Sequence, residues 1–94
     1  EFDAVVKNAP GRVVVDFWSP TCGPCLMVAP ELEKFASENP DTLVVKVNTM
    51  ENAALVQRLG IRSIPTFHVY DGGQLSSTEV GYMDAKQMRQ KFVS

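Results

Sequence analysis

The chain holds two cysteines, separated by two residues in Cys22-Gly23-Pro24-Cys25. The apolar run Val13-Val14-Val15-Asp16-Phe17-Trp18 leads into the pair and reads as a buried strand, and the residues after Cys25 read as a helix. Residues three apart on a helix face the same way, at a Cα separation of roughly 5–6 Å, which a disulfide can span. The first cysteine would stand at the helix N-terminus, where unpaired N–H groups and the helix dipole favour an anion. A thiolate is such an anion, so Cys22 is expected to have a depressed pKa and to act as the nucleophile. Cys25, one turn further in, would be shielded and act second. Pro24 suits a first helical turn, where its missing N–H is no loss, and Gly23 leaves room for a partner backbone.

Two other readings of the pair stay open at this level. One Cys-x-x-Cys could be half of a zinc site, although zinc takes four ligands and His68 is the one histidine. A static disulfide would close too small a loop to stabilise much. The strand-to-helix setting favours redox chemistry.

The elements that must position the pair follow from the pattern around it. At 94 residues, the chain is expected to form one domain over 1–94 with a modest core. A formal net charge of −2 gives no basic footprint for nucleic acid and no polybasic membrane patch. No apolar run reaches transmembrane length, and no signal-peptide pattern stands at the start. The chain begins at Glu1 without a methionine, as a processed chain or a piece of a longer one would. Using both cysteines as one close pair points to catalysis, not to a secreted disulfide scaffold.

In chain order, residues 1–8 read as a short helix with Phe2, Val5 and Val6 on one side, ended by Pro10-Gly11. Residues 12–18 form a strand buried on both faces. A helix then runs from Cys22 to about Asn39. Val28, Leu32 and Phe35 make its inward stripe, Glu31, Glu33, Lys34 and Glu38 a wet face, and Pro30 is expected to kink it. Residues 42–48 form a second, valine-rich strand. A helix over 51–59 follows, with Thr49 as candidate N-cap and Gly60 as candidate C-cap. Strands over 66–70 and 75–80 flank the hairpin signal Asp71-Gly72-Gly73-Gln74. Asp84 with Gln87 resembles a capping box opening a last helix, whose inward stripe is Ala85, Met88 and Phe92. The alternation implies an α/β fold, a three-layer α/β/α sandwich on a central mixed sheet.

The chain resembles thioredoxin over nearly its whole length. The resemblance is carried by Val15-Asp16-Phe17-Trp18, Cys22-Gly23-Pro24-Cys25, Pro30, Lys46, Gly60-Ile61-Arg62-Ser63-Ile64-Pro65-Thr66 and Val80-Gly81. It implies a thioredoxin fold that here begins at the family's first helix and so lacks the usual first strand. The 42–48 strand would then be an unpaired edge, prone to aggregation if nothing covers it. Two further departures stand beside the nucleophile: Thr21 where the family usually has Trp, and Leu26 where it often has Lys.

The resemblance also implies roles for other residues. Asp16, otherwise readable as a carboxylate on an exposed sheet face, would lie beneath Cys25 and relay its proton, with a pKa raised by burial. Lys46 would stand near that aspartate instead of being a mere surface lysine. Pro65 would follow a cis bond against most X-Pro odds, turning the Ile64 backbone outward to pair with an extended substrate. Gly81 would line the other side of that groove. Trp18, Thr21, Gly23 and Pro24 would complete the surface, with Trp18 reporting the redox state. His68 reads as structural, and the four methionines as core filler.

The function implied is a protein-disulfide reductase cycling between dithiol and disulfide at Cys22 and Cys25. No cofactor or metal would bind the chain. Electrons would come from NADPH through a flavoprotein thioredoxin reductase. They would go to protein disulfides of the peroxiredoxin, methionine sulfoxide reductase or ribonucleotide reductase type. A cytoplasmic monomer is the expected setting, with an organelle or fusion to a larger chain as alternatives. The competing readings are an oxidase or isomerase domain, which commonly has His between the cysteines, and a thioredoxin-like binding module of a larger protein.

Overall fold

The computed structural model describes residues 1–93, which form four helices and four strands. They are α1 (Phe2–Asn8), β1 (Val13–Trp18), α2 (Gly23–Glu38), β2 (Leu43–Asn48), α3 (Ala53–Leu59), β3 (Thr66–Asp71), β4 (Gln74–Val80) and α4 (Ala85–Phe92). The strands form one mixed sheet in the order β2-β1-β3-β4. β1 pairs parallel with β2, as the helical connection between them requires, and antiparallel with β3. β3 and β4 make the expected hairpin. Gly72 and Gly73 both carry positive φ there, 59° and 82°, the backbone of a primed two-residue turn.

β1 is a run of apolar residues because both of its faces are covered. Val14 points to the side where α2 contributes Val28, Leu32 and Phe35 and α4 contributes Met88 and Phe92, with Phe67 and Val69 of β3 completing that core. Val13, Val15 and Phe17 point to the other side, against Val6 of α1, Val47 and Tyr70, with Leu55 and Leu59 of α3 packed on them. Burying each of the phenylalanines 17, 35, 67 and 92 stabilises the fold by roughly 1.5–3 kcal/mol. The helices therefore lie on both faces, as a three-layer sandwich demands.

Some local expectations are corrected. α3 begins at Ala53 instead of 51, and its N-cap is Asn52, whose side chain makes no capping bond there. Thr49 is drawn away from the cap: its hydroxyl and backbone N–H both donate to the Trp18 carbonyl, at 3.1 and 2.8 Å. α2 runs through Pro30 to Glu38, close to the helix expected over residues 22–39. Glu31, read as part of a wet face, is half-buried, and its carboxylate accepts the backbone N–H of Ala85 at 2.9 Å. The capping box is present, with the Asp84 and Gln87 side chains each bonded to the other's backbone N–H. β2 and β4 are the two edges of the sheet. Among the described residues no helix is long and apolar enough to cross a membrane.

Candidate active site

β1 ends at Trp18 and delivers a short loop to the start of α2. Ser19 is buried there and organises the loop: its Oγ accepts the Thr21 backbone N–H at 3.3 Å and shares a hydrogen bond with the Thr21 hydroxyl at 3.2 Å. A serine bonded to the backbone two residues on is a local turn device, and Ser19-Pro20-Thr21 carried that signal unread. Cys22 follows as the N-cap of α2, and Pro24 occupies the first turn. Cys22 and Cys25 are joined as a disulfide with a Cα separation of 5.2 Å. The Cys25 backbone N–H donates to Cys22 Sγ at 3.2 Å, so the sulfur takes the place of the usual capping oxygen. Cys22 is half-buried, whereas Cys25 is only 3% exposed. One sulfur can be approached from outside and the other cannot.

Three further segments close around the pair. The Ile64–Pro65 peptide bond is cis, and the Ile64 carbonyl oxygen lies 3.7 Å from Cys22 Sγ. The Pro65 carbonyl accepts the backbone N–H of Gly81 at 2.9 Å, which ties the loop before β3 to the end of β4. Gly81 has a φ of 100°, a conformation that L side chains rarely adopt, although a Cβ there would meet no atom of the chain. A Cβ on Gly23 would also point into open space.

Asp16 is 1% exposed, so the reading of a carboxylate on an open sheet face does not hold. Alternation along β1 puts it on the Val14 side, the side that α2 covers, so its carboxyl and the Cys25 thiol share one face of the sheet. Its Oδ1 has no hydrogen-bond partner. Burial pushes its pKa up to about 6, against the downward pull of the Lys46 charge. Lys46 is paired in register with Asp16 across β1 and β2 but stays exposed, and its ammonium sits over the Trp18 ring, 4.8 Å from the centroid. It reaches Asp16 through its field and touches Trp18 directly.

The candidate residues therefore converge at one end of the sheet. His68 stands apart, on the opposite face: its ring packs edge-on to Phe17 at 5.0 Å, and Nδ1 shares a 3.2 Å hydrogen bond with the Tyr70 hydroxyl. Desolvation lowers its pKa. Among the described residues no three His, Cys, Asp or Glu side chains cluster as metal ligands.

A cysteine disulfide capping a helix beside a cis-proline loop has a counterpart in a known family, whose thioredoxin model matches residues 1–94. The chain belongs to the thioredoxin family. It is 39% identical to a thioredoxin of Haemophilus influenzae over 89 residues, 94% of this chain and 83% of that protein. The solution structure of oxidised Plasmodium falciparum thioredoxin superposes with a TM-score of 0.86 at 32% identity, covering 99% of this chain and 90% of that one. The fold is also shared, at a TM-score of 0.90 and 26% identity over 98% of this chain and 85% of the other, with a chain from a structure on thiol resolution in a yeast mitochondrial 1-Cys peroxiredoxin via glutathione/thioredoxin systems. The protein is thus a dithiol-disulfide thioredoxin, a thiol-disulfide oxidoreductase whose redox element is the Cys22–Cys25 pair. The oxidase, isomerase and binding-module readings are not favoured.

Proposed function

We propose that the chain works as one thioredoxin domain over 1–94 that reduces protein disulfides, with Cys22 attacking and Cys25 resolving. The observation that carries this reading is the asymmetry of the pair: a half-buried sulfur at a helix N-terminus, backed by a buried one. In the reduced protein the Cys22 thiolate attacks one sulfur of a substrate disulfide and expels the other as a thiolate, which takes up a proton. A mixed disulfide to Cys22 results. Asp16 accepts the Cys25 proton, and the Cys25 thiolate attacks Cys22 Sγ. The second substrate thiol leaves and the disulfide of this structure is restored. Two electrons pass from the cysteine pair to the substrate.

The helix N-terminus and the Cys25 N–H favour the Cys22 thiolate. Lys46 holds the Asp16 pKa below what burial alone would give and steadies Trp18. The groove is formed by Trp18, Thr21, Gly23, Pro24, Ile64, Pro65 and Gly81, and an extended substrate pairs with the outward Ile64 backbone.

The electron supply is NADPH through a flavoprotein thioredoxin reductase. Substrates are protein disulfides of the peroxiredoxin, methionine sulfoxide reductase or ribonucleotide reductase type, the first supported by the peroxiredoxin setting of the yeast neighbour. The proposed form is a cytoplasmic monomer.

The test is a redox titration with dithiothreitol and glutathione followed through Trp18 fluorescence, together with trapping by a Cys25→Ser variant. A potential well below the glutathione pool and accumulation of a Cys22 mixed disulfide are expected. A potential at or above that pool would sink the reductase reading and move the domain to oxidase or isomerase work.

A further inference from the structure

The sheet face behind the cis-proline loop is not fully covered. α3 ends at Leu59, and residues 60–63 border a pocket together with residues of β3 and β4. The pocket, of about 290 Å³, is lined by Leu59, Ile61, Arg62, Thr66, His68 and Thr78. At its rim stand Leu75, 51% exposed, and Val80, 61% exposed. His68 and Thr78 are cross-strand partners, as are Thr66 and Val80, so the floor is the β3–β4 pair itself.

This pocket continues the groove. Thr66 directly follows Pro65 and Val80 directly precedes Gly81, the two residues whose backbones are bonded beside Cys22. Ile64, which lies against Cys22 Sγ, is two residues before Thr66, the first residue of β3. A substrate segment paired along the Ile64 backbone would therefore bring the side chains two or three positions from its cysteine to the pocket mouth.

The lining also states what it accepts. The leucines, Ile61 and Val80 offer apolar contact. His68 is held by Tyr70 and kept neutral by desolvation, so the formal charge of the pocket is that of Arg62. Arg62 is exposed and has no ion-pair partner among the described residues. No acidic side chain lines the pocket.

We infer that this pocket is a second contact for the disulfide substrate, taking an apolar side chain next to a carboxylate, two or three residues from the attacked cysteine. The inference rests on the reductase reading above and adds a sequence preference to it. It makes Arg62 a specificity residue that does not touch the reacting sulfurs.

The test uses short peptides, each carrying one cysteine as a mixed disulfide with mercaptoethanol, and the reduced protein. Single-turnover rate constants are read from Trp18 emission. Leu-Asp, Leu-Lys or Ser-Ser is placed two and three residues from the cysteine, on either side in separate peptides. In the unaltered protein one Leu-Asp placement should react about tenfold faster than Ser-Ser and about threefold faster than Leu-Lys. Arg62→Glu should invert the Asp/Lys order, and Arg62→Gln should abolish it. Because the order is a ratio between peptides within one protein, a general change in thiol reactivity cancels. Equal rates for all peptides, or an order that survives Arg62→Glu, would overturn the inference while leaving the reductase reading intact. Failure to reduce bis(2-hydroxyethyl) disulfide or any peptide would take both down.

Discussion

Asp16 carries a cost that the surrounding core does not need, which is a reason to look for its use in chemistry. A carboxyl that is 1% exposed with an unpaired Oδ1 is expensive to ionise, and its pKa stands at about 6 instead of 3.8. Between those values the folded chain keeps a proton that the unfolded chain has lost. Stability is therefore fully present below about pH 4 and falls as pH rises through about 6, by about 3 kcal/mol in all. Asp16→Asn should remove most of that loss, raising the unfolding free energy in urea by about 2–3 kcal/mol at pH 8 and changing it little at pH 4. The same variant should slow resolution of the Cys22 mixed disulfide and erase its inflection near pH 6. An unchanged resolution profile would leave Asp16 without a proton-transfer role. From β1 alone this residue was ambiguous, because a strand covered on both faces has no polar side to contradict. Only the resemblance pointed inward. Lys46 was legible as a neighbour of Asp16, but the contact it makes is with Trp18, a choice that side-chain reach decides and register does not.

At the scale of elements, what each helix needed at its ends decided how well it could be read. The α4 box was legible because both of its partners lie within four residues. The start of α3 was not, because Thr49 bonds across to the end of β1, a contact between segments far apart in sequence. Glu31 belongs to the same class. Its side chain leaves α2 to cap α4, tying the cysteine-bearing helix to the C-terminal one alongside the edge-on Phe35–Phe92 contact. Glu31→Ala should destabilise the fold by about 1 kcal/mol in chemical denaturation, whereas Glu33→Ala, on the exposed face, should change it little. Equal effects of the two would mean that the Glu31 bond contributes nothing. The cis bond at Pro65 had no local signature and entered through the family likeness alone, while the cysteine spacing and its strand-to-helix setting were plain in the sequence.

At the scale of the whole molecule, the four strands do not share the load equally. β1 and β3 are central, paired on both sides, and buried along nearly their whole length. β2 and β4 are edges with exposed positions, and α3 holds no buried residue at all. Opening α3 with β2 would uncover the smaller core around Val13, Val15 and Phe17 but leave the core between the sheet and helices α2 and α4 in place. Native-state hydrogen exchange should divide accordingly. The β1 amides that bond to β3, and those of Phe67 to Tyr70, should exchange only through global unfolding and follow the full denaturant slope. Those of α3 and the outer edge of β2 should exchange through smaller openings with shallower slopes. The cysteine pair sits where the stable half begins, since Cys22 caps the helix that shields β1 and Asp16 lies in β1 itself. The segments proposed to meet a substrate, the Ile64–Pro65 loop and the end of β4, border the edge strand β4. Slopes for α3 equal to those of β1 would show a single cooperative unit and a groove as rigid as the centre of the sheet.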